Sequence, residues 1–327
     1  MEFQNKIRSI FNPERFQGWG RSKRYFEGWY FKLVDPTENF AYAIIPGVAM
    51  DETGNKQAFI QVLDGKKLTA EYHTFDFEDF RASAVAFEVS IRDNFFSGSK
   101  MAINLHGLTG ALHFHDAVPW PKTWYSPGIM GPYTFAPFME CYHGIVSMDH
   151  KISGSLITAD SEVDFEGGRG YLEKDWGRSF PSAYFWLQSN HFSEPGISFK
   201  ASVARIPWVT GNFTGFIAGL WLKDKLYRFT TYNGTKLIHS FADTERVELI
   251  MENKQHRLEV HATRDHATAL ASPIHGFMEG RIEESMTSVV EIKLMDARSG
   301  EVIFHDEGKN AGLEVAGDIQ KIFVQEG

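Results

Sequence analysis

The chain has 327 residues, 43% hydrophobic and 23% charged, with a formal net charge of -9. That is ample core material for a globular protein, and the length points to two domains. An acidic balance without a basic tract argues against nucleic acid and anionic membranes as partners. The single cysteine, Cys141, leaves no internal disulfide and no cysteine-built zinc site.

The N-terminal residues lack the apolar core of a signal peptide, and no window of about 20 apolar residues suits a membrane span. A cytoplasmic location is expected, and the oligomeric state stays open. Aromatic residues make up 14% of the chain, 28 of them Phe. That density suits β-structure and apolar binding cavities.

In chain order, a lead-in over residues 1–24, with one short helix before Pro13, precedes a strand at RYFEGWYFKLVD (24–35). Its period-two faces are Glu27, Trp29 and Phe31 on one side and Phe26, Tyr30 and Lys32 on the other. FAYAIIPGVAMD (40–51) and QAFIQVLDG (57–65) follow as strands, separated by the turn signals DPTEN, DETGN and DGK. AVAFEVSIRDN, KMAINLHGLTGALHFH, ECYHGIVSMDH and HKISGSLITADS continue a meander, which a Pro-rich loop at 117–137 interrupts. Beyond residue 192, ISFKASVARIP, TGFIAGLWLKDKLYRFTTYNG, RVELIMENKQHRLEVHATRD and RIEESMTSVVEIKLMDARSGEVIFHDEG read as paired strands. No long segment keeps a helical period. The pattern predicts an all-β protein with little helix, divided into residues 1–165 and 166–327.

The chemistry concentrates in residues 167–192, GGRGYLEKDWGRSFPSAYFWLQSNHF. As a strand, its first half puts Tyr171, Glu173 and Asp175 on one face and Leu172, Lys174 and Trp176 on the other. Two carboxylates about 7 Å apart in an aromatic setting tend to hold a proton between them. A carboxylic acid kept neutral near pH 7 suits olefin protonation, epoxide opening or glycoside hydrolysis. The second half puts Tyr184, Trp186, Gln188, Asn190 and Phe192 on one face, an apolar wall with two amide groups. Tyr and Trp faces stabilise a developing carbocation.

Each feature also has a structural reading. Gly28-Trp29-Tyr30 resembles the Gly-x-Trp start that closes the base of lipocalin barrels, with Trp packed on a basic residue. Glu173, Lys174, Asp175 and Arg178 would similarly form a salt-bridged plug. His113 and His115 alternate without a third ligand at a persuasive spacing, so a solvated strand is expected there. Glu140-x-x-His143 enters the strand after the Pro-rich loop, where His143 is either a core histidine or a site residue. The glycines at 167–170 lack the spacing of a phosphate loop, and Cys141 beside His143 is not a thiol-protease signature.

FEGWYFK (26–32), YLEKDWGRSFPSAYFWLQSNHF (171–192) and, more loosely, EVIFHDEGKNAGLEVAGD resemble the tocopherol cyclase family. Plant members of that family read Phe-Glu-Gly-Trp-Tyr-Phe-Lys, then Tyr-x-Glu-Lys-Asn-Trp-Gly, then a Trp-x-Gln-x-Asn-x-Phe strand. The resemblance implies two lipocalin-like antiparallel β-barrel domains side by side. It also implies a cofactor-independent, metal-free reaction in which a prenyl double bond is protonated and a phenol oxygen closes a ring. More distantly, carotenoid hydratases carry a Tyr-x-Asp-x-Asn-Trp-Gly donor motif and an upstream histidine.

Laid on this sequence, the donor is Glu173, assisted by Tyr171 and His143. Asp175 replaces the motif's Asn and adds a second carboxylate. Trp29, Trp176 and Trp186 are then expected as an apolar wall, and Gln188, Asn190 and Glu27 as substrate contacts. The expected partner is an apolar isoprenoid or prenylquinol-like molecule. A hydratase of an isoprenoid double bond and a non-catalytic lipid carrier are the alternatives.

Overall fold

A computed structural model describes residues 9–209 and 211–322. The expected short helix before Pro13 falls partly outside these residues, with only Ser9 and Ile10 helical within them. The regular structure of the described residues is otherwise strand, apart from short 3-10 turns at Phe77–Asp79, Gly131–Phe135 and Ile319–Ile322. The strands form two antiparallel sheets.

The first sheet contains β1 (Tyr25–Val34), β2 (Ala41–Met50), β3 (Lys56–Asp64), β4 (Thr69–Asp76), β5 (Phe80–Ala82) and β6 (Glu88–Ile91). It continues with β7 (Asn94–Ser97), β8 (Lys100–Leu105), β9 (Leu108–His115), β10 (Cys141–Thr158), β11 (Glu162–Asp164) and β12 (Gly168–Gly177). Its order is β4-β3-β2-β1-β12-β10-β9-β8-β7-β6-β5, with β11 paired to β10. The meander expected from turn signals is present. Asp51, for example, accepts from the backbone N–H groups of Thr53, Gly54 and Asn55 and caps the β2–β3 turn, where Gly54 has φ +100°. ECYHGIVSMDH and HKISGSLITADS join into one 18-residue strand, β10, with register shifts after Ile145 and Ser147.

This sheet is rolled. β1 and β7 lie five strand steps apart, about 24 Å if the sheet were flat. Yet the rings of Phe31 on β1 and Phe96 on β7 have centroids 5.8 Å apart. Trp29 stacks on Phe87 at 5.6 Å, and both belong to one core cluster with Phe31, Leu33, Phe96, Phe114 and Leu172. The aromatic excess thus fills a barrel-like interior, where burial of large side chains contributes most.

The second sheet contains β13 (Ala183–Ser189), β14 (Ser198–Trp208), β15 (Gly211–Leu222), β16 (Lys225–Thr230) and β17 (Lys236–Ala242). β18 (Arg246–Glu252), β19 (His256–Thr263), β20 (Thr268–Ile274), β21 (Phe277–Asp296) and β22 (Val302–Gly317) complete it. Its order is β16-β15-β14-β13-β22-β21-β19-β18-β17, with β20 paired to β21. A separate core collects Phe185, Leu187, Phe199, Leu220, Leu249, Ile292 and Leu313.

The chain divides into two compact units, Met1–Phe180 with Ala271–Arg281, and Pro181–Leu270 with Ile282–Gly327. Relative to the division expected at residue 165, β12 falls in the first unit because it is hydrogen-bonded to β1 and β10 along both edges. The hairpin at 271–281 also counts with the first unit. There the backbone N–H of Ala271 donates to Gln61, and that of Met50 to Gly276.

Candidate active site

The period-two faces of β12 are realised. Its core-side residues Leu172, Lys174 and Trp176 stand opposite Phe31, Trp29 and Glu27 of β1. Lys174 and Glu27 form an ion pair of 2.5 Å with both side chains fully buried. Burial pushes the Glu27 carboxyl up and the Lys174 ammonium down, and their mutual attraction opposes both shifts. The remaining polar atoms are satisfied by the lead-in. Glu27 accepts from the backbone N–H groups of Gln17 and Gly18 and from the Tyr25 hydroxyl, and Lys174 donates to the carbonyls of Pro13 and Arg15. Trp29 Nε1 donates to the Glu14 carbonyl at 2.8 Å. The Lys174 ammonium lies 4.9 Å from the Trp29 ring and 4.7 Å from the Trp176 ring. This cluster fastens residues 13–18 to the barrel.

The other face carries a different set. Tyr171, Glu173 and Asp175 alternate along β12, with Lys32, Tyr30 and Gly28 opposite them on β1. On the other edge, β10 sets His143 opposite Asp175 and Ile145 opposite Glu173. Cross-strand neighbours in register have Cβ atoms about 5 Å apart, which brings imidazole and carboxylates together. His143 Nδ1 lies 2.8 Å from Asp175 Oδ1, and its Nε2 lies 3.5 Å from Glu173 Oε2. The Tyr171 hydroxyl donates to Glu173 Oε2.

Burial, then the neighbouring Glu173 charge, holds the Tyr171 phenol well above its ordinary range, so it remains a donor. Burial and Asp175 likewise push the Cys141 thiol up, with its Sγ 3.9 Å from Asp175 Oδ1. Tyr171 and Glu173 are buried, and Asp175 is the member with most solvent contact, its side chain 24% exposed. A carboxyl group oriented by a phenol and adjoined by an Asp-linked imidazole is equipped to give or take a proton. His143, Glu173 and Asp175 also offer three metal-ligating atoms within 4.8 Å of one another.

Of the residues singled out by sequence, Tyr171, His143, Glu173 and Asp175 come together. Glu27, Trp29 and Trp176 lie on the core side of the same strands, with the sheet between them and Glu173. Trp176 stacks on Tyr142 at 5.5 Å. Trp186 and Gln188 share a face of β13 in the second unit with Tyr184, whose hydroxyl donates to Glu314 at 2.9 Å. Asn190 follows that strand and meets His191 Nδ1 at 2.9 Å.

Lys174 does not plug Glu173, because it points to the opposite face. Arg178 donates to the Phe138 carbonyl. The sequence reading passed over Tyr30, which the even parity of β1 aligns with Glu173. It also passed over Lys200 and Glu284, fully buried charges of the second unit. In that unit Lys200 stands opposite Gln188 and donates to Ser202 at 2.9 Å. The signal available for Lys200 was a charge between Phe199 and Ala201 in the first half of the strand segment ISFKASVARIP.

The family model described as tocopherol cyclase-like matches residues 115–317. Among curated proteins, a probable tocopherol cyclase, chloroplastic, of rice (Oryza sativa subsp. japonica) is 27% identical over 192 residues, covering 55% of this chain and 40% of its own length. A chloroplastic tocopherol cyclase of Zea mays is 27% identical over 194 residues, with the same coverage of 55% and 40%. The match therefore spans less than half the length of these relatives. Among solved structures, CghA with Sch210972 is similar at a TM-score of 0.55 and 11% identity, covering 90% of this chain and 89% of that one. An AttH structure from Nitrosomonas europaea has a TM-score of 0.53 at 13% identity, covering 89% and 92%. At these identities the likeness is one of fold.

Proposed function

Because the chain belongs to the tocopherol cyclase-like family, we propose that it is an enzyme that protonates a prenyl double bond and closes a ring on an apolar, prenylquinol-like substrate. The observation that carries this reading is the convergence of Tyr171 and His143 on the buried carboxyl of Glu173.

In the proposed reaction, the Glu173 carboxyl, in its protonated form, gives its proton to the less substituted alkene carbon, leaving a tertiary carbocation. The substrate's own phenol oxygen forms the new C–O bond and loses its proton, which returns to Glu173 through His143. Product and substrate are isomers, so no redox equivalent is consumed. Tyr171 fixes one oxygen of the carboxyl and directs the other. Asp175 holds His143 by Nδ1 and stabilises its protonated form during the transfer. Trp186, Gln188 and Asn190 stand in the second unit and are given no part in this step. Trp29, Trp176 and Glu27 are assigned to the barrel rather than to substrate.

The test is incubation of the purified protein with a prenylated quinol, followed by a search for an isomer of equal mass. Full turnover by Glu173→Gln would refute the assignment of the donor. Binding without isomerisation by the parent protein would refute the enzyme and favour a lipid carrier.

A further inference from the structure

The Pro-rich loop between β9 and β10 takes no part in the proposed reaction, yet it carries the most exposed tryptophan of the chain, Trp124. Among the described residues of the first unit, every exposed Phe, Tyr and Trp lies in this loop or in the lead-in: Trp124, Tyr125, Phe135, Phe138 and Phe11. We propose that this patch docks the protein on a zwitterionic phospholipid surface, with the aromatic rings in the headgroup layer and flanking arginines on lipid phosphate.

The backbone N–H of Thr123 donates to Ser126 at 2.9 Å, and that of Ser126 donates back to Thr123 at 3.2 Å. Trp124 and Tyr125 are therefore the two central residues of a tight turn. Such positions usually go to Gly, Asn, Asp or Pro. Here they hold two large rings packed edge to face at 5.4 Å, and Trp124 is 81% exposed. The turn stands on buried Ser126 and Ile129, and Pro13 closes against Gly128, where an added Cβ would lie 3.2 Å from Pro13 Cγ. Two residues before Pro13, Phe11 meets Phe135 with ring centroids 6.0 Å apart. The lead-in thus joins both halves of the loop into one aromatic rim.

The flanks of this rim are cationic, although the chain as a whole carries -9. Lys122 pairs with Glu14 at 2.6 Å. The exposed Arg178 guanidinium donates to the Phe138 carbonyl. Tyr142, whose hydroxyl donates to the Ala136 carbonyl, has its phenol raised by burial, and the charges of Arg21 and Arg178 oppose that shift. Both arginines therefore lie beside the Phe135–Phe138 half. A guanidinium matches phosphate in charge and geometry. Trp and Tyr favour the headgroup layer, where the ring is apolar and its polar edge stays wet. The acidic remainder of the chain is repelled by anionic lipid, so the complementary surface is zwitterionic.

The loop runs directly into the site. It ends at Glu140, whose carbonyl accepts from the Arg178 backbone N–H at 2.7 Å, and that junction joins the end of β12 carrying Asp175 to the start of β10 carrying His143. An apolar prenylated substrate dissolves in lipid rather than water, and docking sets the cluster beside that supply. This purpose rests on the catalytic reading, whereas docking itself does not.

The test uses the full chain, vesicles of phosphatidylcholine and no substrate. The parent is expected to float with the vesicles, and brominated phosphatidylcholine to quench its tryptophan fluorescence. Trp124→Phe should remove most of that quenching. Trp124→Ser combined with Phe135→Ser should lower the partition coefficient by about tenfold for each aromatic lost, the effect of leaving a large apolar side chain in water. Both positions are exposed, where substitution scarcely alters folding. A parent that stays in solution, bound parent without quenching, or equal partitioning of the double variant would overturn the docking surface. A parent dimer that Trp124→Ser abolishes, without vesicle binding, would overturn it in favour of a second copy of the chain. Vesicle binding by a protein that turns over no prenylquinol would uphold docking and overturn the catalytic reading alone.

Discussion

Glu173 and Lys174 are consecutive in sequence and face opposite sides of one strand. Lys174 enters the rolled aromatic interior and pairs with Glu27 at 2.5 Å. Glu173 leaves the other side to meet Tyr171 and His143. One ten-residue strand therefore serves a buried fastening on one face and, on the other, the cluster proposed to handle the proton, and the two are separable by mutation.

The fastening is tested on its own. Lys174→Met strands the Glu27 carboxylate in the core, and the expected loss is about 3–5 kcal/mol in denaturant unfolding. Adding Glu27→Gln should recover part of that loss, because the uncompensated charge is gone. Equal stability of parent and Lys174→Met would show that the pair holds nothing.

For the cluster, Glu173→Gln is expected to lower turnover of a prenylquinol by at least ~100-fold, as befits a general acid. Tyr171→Phe removes a hydrogen bond to a carboxyl of ~1.5 kcal/mol, about tenfold in rate. A steady-state comparison of folded variants checks the order. Tyr171→Phe falling as far as Glu173→Gln would argue that the phenol itself delivers the proton.

The origin of the proton is read from isotope. Turnover in deuterium oxide should place a single non-exchangeable deuterium on carbon, because Glu173 exchanges with solvent between turnovers. A product formed in deuterium oxide with no carbon-bound label would exclude alkene protonation.

His150 supplies a pH prediction. Its ring packs on Phe114 at 4.8 Å inside the barrel, and burial lowers its pKa to about 3. The unfolded chain gains a proton near pH 6.5 that the folded chain refuses until about pH 3. This group's contribution is complete above pH 6.5 and is lost as pH falls, by up to ~1.4 kcal/mol per pH unit. His150→Leu should flatten the acid limb of the unfolding curve. An unchanged acid midpoint would mean that the ring is protonated within the fold. Gly170→Ala would place a Cβ 2.3 Å from His150 Nε2, and about 1–3 kcal/mol of destabilisation follows from such overpacking.

The sequence by itself determined the all-β class, the turn positions and the two faces of β12, because strand side chains alternate with period two and turn chemistry is local. It thereby grouped Tyr171 with Glu173 and Asp175, while a salt-bridged plug of Glu173 with Lys174 stayed open until the structure paired Lys174 with Glu27. Only the tertiary structure decided which face became interior and which strands flank β12. The β1–β12 register sends Trp29 and Glu27 to Lys174 and sets Tyr30 opposite Glu173. The β10–β12 register, held across more than thirty residues, brings His143 to Asp175. Register is fixed by pairing and burial between distant segments, which no local spacing encodes.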